Sequence, residues 1–149
     1  MDKILTIAVF FLAVTVLAAQ EPGGSRFFET DTSLYVKAEE MPRYPGCEDL
    51  SSLQEKEDCS MRQMLMFLYG EMSYPAEARK RGVEGRAVVT FIVEKDGSLT
   101  DFKLLEDPGA GCGAEALRVI QMMPNFVPGK QHGKAVRVLY KLPVKFSVH

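Results

Sequence analysis

The side chains best suited to chemistry in this sequence are three cysteines and two histidines, Cys47, Cys59, Cys112, His132 and His149. Their spacing shows neither the CxxC nor the HxxxH pattern that is typical of zinc ligands. His132 lies in a turn rich in Gly and Lys, and His149 is the final residue, so no Ser/His/Asp or Cys/His arrangement can be argued from them. The sequence therefore predicts no enzyme, no metal site and no cofactor.

The cysteines instead point to a structural crosslink. Cys47 and Cys59 bracket an acidic segment, and in an oxidising compartment a disulfide between them would stabilise the fold by about 3 kcal/mol. We predict this disulfide, with Cys112 free. Reduced thiols remain the alternative, and a bond from either residue to Cys112 would instead staple the amino-terminal segment to the rest of the chain.

The amino terminus predicts export. After Lys3 the chain is apolar from Ile4 to Ala19, and a helix-breaking stretch rich in Gly follows. We expect a signal peptide over residues 1–19, cleaved near Ala18 or Ala19. An uncleaved inner-membrane anchor is the alternative, although a spanning helix needs roughly 20 apolar residues. The protein is therefore expected in the periplasm or cell envelope.

Composition limits the remaining possibilities. The 149 residues are 46% hydrophobic and 26% charged, which are ordinary values for a globular protein of one domain. The formal net charge of −2 argues against a nucleic-acid-binding protein. We expect residues 20–59 to be a tether with an acidic, Cys-containing loop, and residues 60–149 to be the folded domain.

Helical periodicity indicates two helices before the first strand and one after the second. Met61, Met64, Leu65 and Leu68 share one face, so residues 60–71 read as an amphipathic helix with Ser60 as its N-cap. A short helix is expected to begin near Pro75 and to end at Gly82. A later helix is expected over residues 114–123, where Pro124 ends it.

Strand periodicity is equally clear. Alternation predicts a strand in which Ala87, Val89, Phe91 and Val93 share one face, followed by a return strand over residues 98–106. We expect Asp96 and Gly97 to form a type I′ turn with positive φ at both residues. A long strand is predicted from Val136 to Val148. Pro143 within it indicates an open edge or a bulge at that position, and we expect the last strand to be an edge strand.

In this order the motifs resemble the C-terminal domain of the TonB energy transducers, over about residues 60–148. The motif positions are Tyr74, Pro75, Gly82, Gly85, Pro128 and Gly129, together with the Asp96–Gly97 turn and the helix that contains Leu117. The resemblance implies an α+β fold with a three-stranded antiparallel sheet and two helices packed on one face.

The resemblance also implies a function. Members bind the TonB box, a short peptide of outer-membrane transporters, by adding it as a strand beside the terminal strand. The matching segment is Val136, Arg137, Val138, Leu139, Tyr140 and Lys141. Inner-membrane motor proteins are further partners of anchored members, and a homodimer is left open. Because residues 20–60 form only a short spacer that is not Pro-rich, a stand-alone envelope interaction module without energy transduction is the alternative.

Overall fold

The structure is a computed structural model that describes residues 33–148. The predictions for residues 1–32 and for His149 lie outside this range. In chain order the elements are β1 (Leu34–Tyr35), α1 (Leu53–Glu71), α2 (Ala76–Arg81), β2 (Gly85–Val93), β3 (Leu99–Glu106), α3 (Cys112–Ile120), β4 (Gly129–Gln131) and β5 (Lys134–Phe146).

The strands form one sheet in the order β1, β5, β2, β3, and β4 pairs with β5 outside this sequence of neighbours. Among the strands of the described residues, β1 and β5 pair in parallel and the other pairs are antiparallel. The predicted α+β class is confirmed, but the described residues form five strands rather than the three that the resemblance implies. Their three helices agree with the three that periodicity indicated and exceed by one the number that the resemblance implies. The additional strands have 2 and 3 residues, which is too short for alternation to mark them in a sequence.

The core lies on the sheet face that the alternation of β2 predicted. Ala87, Val89, Phe91 and Val93 are fully buried and pack in a single cluster with residues of all three helices and of β5. Phe91 is at its centre, stacked on Tyr140 with ring centroids 5.3 Å apart. This cluster fixes β5 against β2 and therefore determines which edge of β5 remains available.

Helix α1 begins earlier than predicted. Ser52 is its N-cap, because the Ser52 Oγ accepts the Glu55 N–H at 3.2 Å and a Glu55 carboxylate oxygen accepts the Ser52 N–H at 3.3 Å. This capping box starts the helix within a charged stretch that has no apolar period. Ser60, the predicted N-cap, is instead buried inside the helix, and its hydroxyl donates to the Tyr44 carbonyl.

The other two helices follow their sequence signals more closely. Helix α2 ends at Gly82, which adopts the predicted left-handed conformation at φ +64°. Helix α3 starts at Cys112, two residues before the predicted start, and ends at Ile120, three residues before the predicted end. The described helices include none that is both long and apolar enough to cross a membrane.

The turn between β2 and β3 differs from the predicted type. Gly97 has φ +86°, but Asp96 is not among the residues with positive φ, so the predicted type I′ turn is wrong. Gly97 N–H donates to the Glu94 carbonyl at 2.9 Å, as in a type I turn followed by a left-handed glycine. The hairpin with positive φ at both central residues is the one between β4 and β5, at His132 (+51°) and Gly133 (+74°).

Residues 33–59, which were predicted to belong to the tether and acidic loop, pack as part of the folded domain, whereas residues 20–32 of that predicted segment lie outside the described range. Besides β1, Glu40 forms a bridge with Lys130 and Arg43 forms one with Val127. The structure contains the Cys47–Cys59 disulfide, which connects this segment to α1. Cys112 is free and buried, and burial raises the pKa of its thiol.

Candidate functional site: the outer edge of the last strand

Strand β5 presents one edge to β2 along most of its length. The antiparallel register pairs every residue from Val138 to Phe146 with a residue of β2, without a bulge. In an antiparallel pair, successive residues direct their backbone groups alternately toward the partner and away from it. Half of the residues of β5 therefore direct their N–H and C=O groups toward the opposite, outer edge.

One hydrogen bond identifies which residues these are. The Lys145 N–H donates to the Tyr69 hydroxyl of α1 at 3.2 Å, so it points away from β2. Counting back by twos, Pro143, Lys141 and Leu139 face outward as well. Pro143 is accommodated because its missing N–H would lie on the outer edge and would not contribute to the ladder with β2.

Part of this outer edge already has a partner. Strand β1 pairs with it in parallel, with Leu34 opposite Arg137 and Tyr35 opposite Val138. Val136 pairs with Gly129 of β4, but by the same alternation its backbone groups face the β2 side of β5 and not the outer edge. The first half of the predicted binding segment, from Val136 to Val138, therefore does not offer free backbone groups. Among the described residues no strand pairs with the outer edge beyond β1. Lys141, which faces outward between β1 and Pro143, therefore has an N–H that no described strand pairs with.

A groove of about 580 Å³ borders this part of β5. Its lining includes residues 139–141 of β5, the first half of α1 and residues 41–44, and its side chains are largely apolar. Met61 of α1 is 46% exposed there, and Tyr69 is 47% exposed further along the same helix. An extended chain beside Lys141 would therefore meet both a hydrogen-bonding edge and apolar side chains.

The groove also contains charged groups. Lys141 and Glu57 line it together with Arg43, whose side chain is only 9% exposed. The Arg43 Nη1 is buried and makes no hydrogen bond within the described residues. Its ion pair with Glu40 spans 3.6 Å, which is longer than a hydrogen bond. No part of the sequence pattern indicated that this arginine would be buried.

Arg137 has a different role from the one expected for a binding residue. Its Nε lies 2.7 Å from a Glu94 carboxylate oxygen, and the two side chains are 28% and 24% exposed. Glu94 also accepts a hydrogen bond from the Thr100 hydroxyl at 2.7 Å. Hydrogen bonds from Arg137 and Thr100 lower the pKa of Glu94 below its usual value of 4.5. The guanidinium thus joins β5 to the end of β2.

The residues at the family-motif positions make contacts that stabilise the fold. The Tyr74 hydroxyl donates to the Val83 carbonyl, and its ring packs edge-on against Phe146 with centroids 5.7 Å apart. Pro75 precedes the first residue of α2. Two glycines allow close contacts, because a Cβ on Gly85 would lie 3.3 Å from Pro108 Cβ and one on Gly129 would lie 2.6 Å from Val138 Cγ2. Pro128 directly precedes β4.

The sequence model of the family described as Gram-negative bacterial TonB protein C-terminal matches residues 70–148, more than half of the chain. The chain belongs to this family. The family is a protein-interaction domain of cell-envelope proteins. The match begins inside α1, so the segment that holds β1, Arg43 and the disulfide lies outside the part that the family model covers.

Solved structures of the same family are similar to this chain. One NMR structure of the Helicobacter pylori TonB C-terminal domain shares 25% sequence identity with this chain, covers 58% of this chain and 91% of its own length, and has a TM-score of 0.43. A second NMR structure of the same domain shares 22% identity, covers 69% of this chain and 89% of its own length, and has a TM-score of 0.47. The Pseudomonas aeruginosa TonB C-terminal domain shares 28% identity over 52% of this chain and 81% of its own, with a TM-score of 0.38. A comparison with curated proteins gave no match.

Proposed function

We propose that this domain binds the TonB box of outer-membrane transporters, in energy-coupled transport, by adding it as a strand to the outer edge of β5. The observation that carries the proposal is that this edge has no strand partner beyond β1 within the described residues, while the apolar groove lies directly beside it. In strand addition, main-chain hydrogen bonds supply affinity and side-chain pockets supply selectivity. The edge of β5 provides the main-chain hydrogen-bonding groups, and the groove provides the side-chain pockets.

The geometry centres the proposed contact on Lys141, between β1 and Pro143. A peptide can bond to the N–H and C=O of Lys141 and to the outward carbonyls of Leu139 and Pro143. At one end Pro143 offers no N–H, and the Lys145 N–H is already bonded to Tyr69. At the other end the peptide either stops at β1 or displaces it. Displacement is feasible because β1 pairs only two residues and Leu34 is 43% exposed.

The experiment compares Lys141→Pro with Lys141→Thr. Both variants remove the lysine charge, but only proline removes the outward N–H. The ladder with β2 should survive in both, because β5 already tolerates proline at the outward-facing position two residues later. Binding of a TonB-box peptide of an outer-membrane transporter is measured by calorimetry, with circular dichroism as the check on folding.

We expect Lys141→Thr to bind within about threefold of the parent. Lys141→Pro should bind on the order of tenfold or more weakly, since it loses one hydrogen bond and places a ring in the path of the added strand. Equal binding by two folded variants would rule out strand addition at this edge. Failure of the parent to bind any such peptide would remove the transporter as partner.

A further inference from the structure

Arg43 occupies an unusual position for an arginine within the described chain. Its side chain is about nine-tenths buried, and its Nη1 neither reaches water nor hydrogen-bonds to a described residue. The Glu40 carboxylate oxygen at 3.6 Å is too distant for a hydrogen bond, and the Glu40 side chain is 38% exposed. A buried guanidinium nitrogen in this state is unfavourable unless another group bonds to it.

Two backbone hydrogen bonds hold the main chain of Arg43 against Val127. The Arg43 N–H donates to the Val127 carbonyl at 3.0 Å, and the Val127 N–H donates back at 2.8 Å. Further along the chain, the Tyr44 carbonyl accepts the Ser60 hydroxyl, and Cys47 is bonded to Cys59 of α1. The backbone of Arg43 is therefore anchored beside the groove that its side chain lines, close in sequence to two connections with α1.

We infer that Arg43 is a subsite for one acidic side chain, Asp or Glu, of the peptide strand that adds to β5. This inference rests on the proposed function and specifies the chemistry of the peptide. A carboxylate is the group that best satisfies a guanidinium, because its two oxygens match the planar N–H fork. Lys141 lines the same groove and also favours an acid, whereas Glu57 disfavours a second one. The site should therefore select a single acidic residue over an acid-rich peptide.

The test uses the full chain and a set of acetylated, amidated nine-residue peptides built from Ser, Thr and Val. Each peptide carries one Glu at a different interior position and is paired with a peptide that has Gln at that position. Calorimetry on the parent should show one position at which Glu binds on the order of tenfold more tightly than Gln. Arg43→Gln should abolish this preference, with circular dichroism as the check that the variant is folded.

Arg43→Lys provides a second measurement that does not depend on the stability of Arg43→Gln. It keeps the charge and loses the fork, so the Glu preference should decrease without vanishing. A parent that binds Glu and Gln peptides equally at every position, or a preference that either variant leaves unchanged, would overturn the subsite while leaving strand addition intact. A parent that binds a TonB-box peptide but none of these peptides would overturn the subsite alone, whereas a parent that binds neither would overturn the proposed function and the subsite with it.

Discussion

Replacing Gly97 by alanine should destabilise the protein far more than a hairpin glycine normally would. Gly97 has φ +86°, where an L-residue costs about 1–2 kcal/mol. In addition, a Cβ at this position would lie 2.0 Å from the Phe126 carbonyl oxygen, so the backbone of one of the two residues must move. Such overpacking typically costs about a further 2 kcal/mol.

Movement of Phe126 would disturb several contacts at once. Its N–H donates to the Gly97 carbonyl at 2.8 Å, a bond that contributes about 1 kcal/mol. Its ring packs edge-on against Phe91 and Tyr140, each with centroids 5.8 Å apart. The total expected loss for Gly97→Ala is therefore about 3–5 kcal/mol, which is a large fraction of the stability of a small domain.

The matched control is Gly133→Ala in the other hairpin. Gly133 also has positive φ, +74°, but a Cβ there would meet no atom within 4 Å. It should therefore lose only the conformational part, about 1–2 kcal/mol. Urea unfolding of the three proteins under non-reducing conditions gives the free energies. Equal losses for the two variants would refute the assigned contact between the β2–β3 turn and Phe126.

Two further predictions concern crosslinks and charge. The double variant Cys47→Ser/Cys59→Ser should lose about 3 kcal/mol of unfolding free energy relative to the oxidised parent, which is the chain-entropy estimate for a crosslink across a 12-residue separation. An unchanged unfolding free energy would show that the disulfide is not formed in solution. Because the pKa of Glu94 is lowered from 4.5, its contribution is present above about pH 4.5 and is lost as pH falls through the folded-state pKa. Glu94→Gln should therefore lie about 1 kcal/mol below the parent at pH 7 and converge with it near pH 2, and parallel stability profiles would contradict the Arg137–Glu94 pairing.

Much of the domain from α2 onward could be predicted from the sequence, because its signals are local. Pro75 and Gly82 mark the limits of a six-residue helix, and the alternation from Ala87 to Val93 places one face of β2 in the core. The loop between Cys47 and Cys59 had the length for a disulfide, and the structure contains that bond.

What could not be predicted depends on contacts distant in sequence or on ambiguous local signals. The bridges of Glu40 and Arg43 join residues more than 80 positions apart, and no periodicity marks them. Asp-Gly is common both in type I′ turns and in turns followed by a left-handed glycine, so the dipeptide alone could not decide between them. The Ser52–Glu55 capping box was readable, but the apolar stripe that starts at Met61 led to a later start for α1.

The candidate site shows the same division. Pro143 correctly indicated an outer edge on β5, since it lies at an outward-facing position. Coverage of that edge by β1 could not be read from Leu34 and Tyr35, because two residues give no pattern. The proposed contact therefore lies later on β5 than the segment beginning at Val136.

The most direct test of the central claim is amide hydrogen exchange at Lys141, measured by NMR with and without a TonB-box peptide. In the free protein this N–H should exchange quickly, whereas the N–H groups of Tyr140 and Leu142 face β2 and should be protected. Bound peptide should slow exchange at Lys141 at least tenfold and leave Tyr140 and Leu142 nearly unchanged. Bound peptide that leaves exchange at Lys141 unaltered would contradict strand addition at this edge.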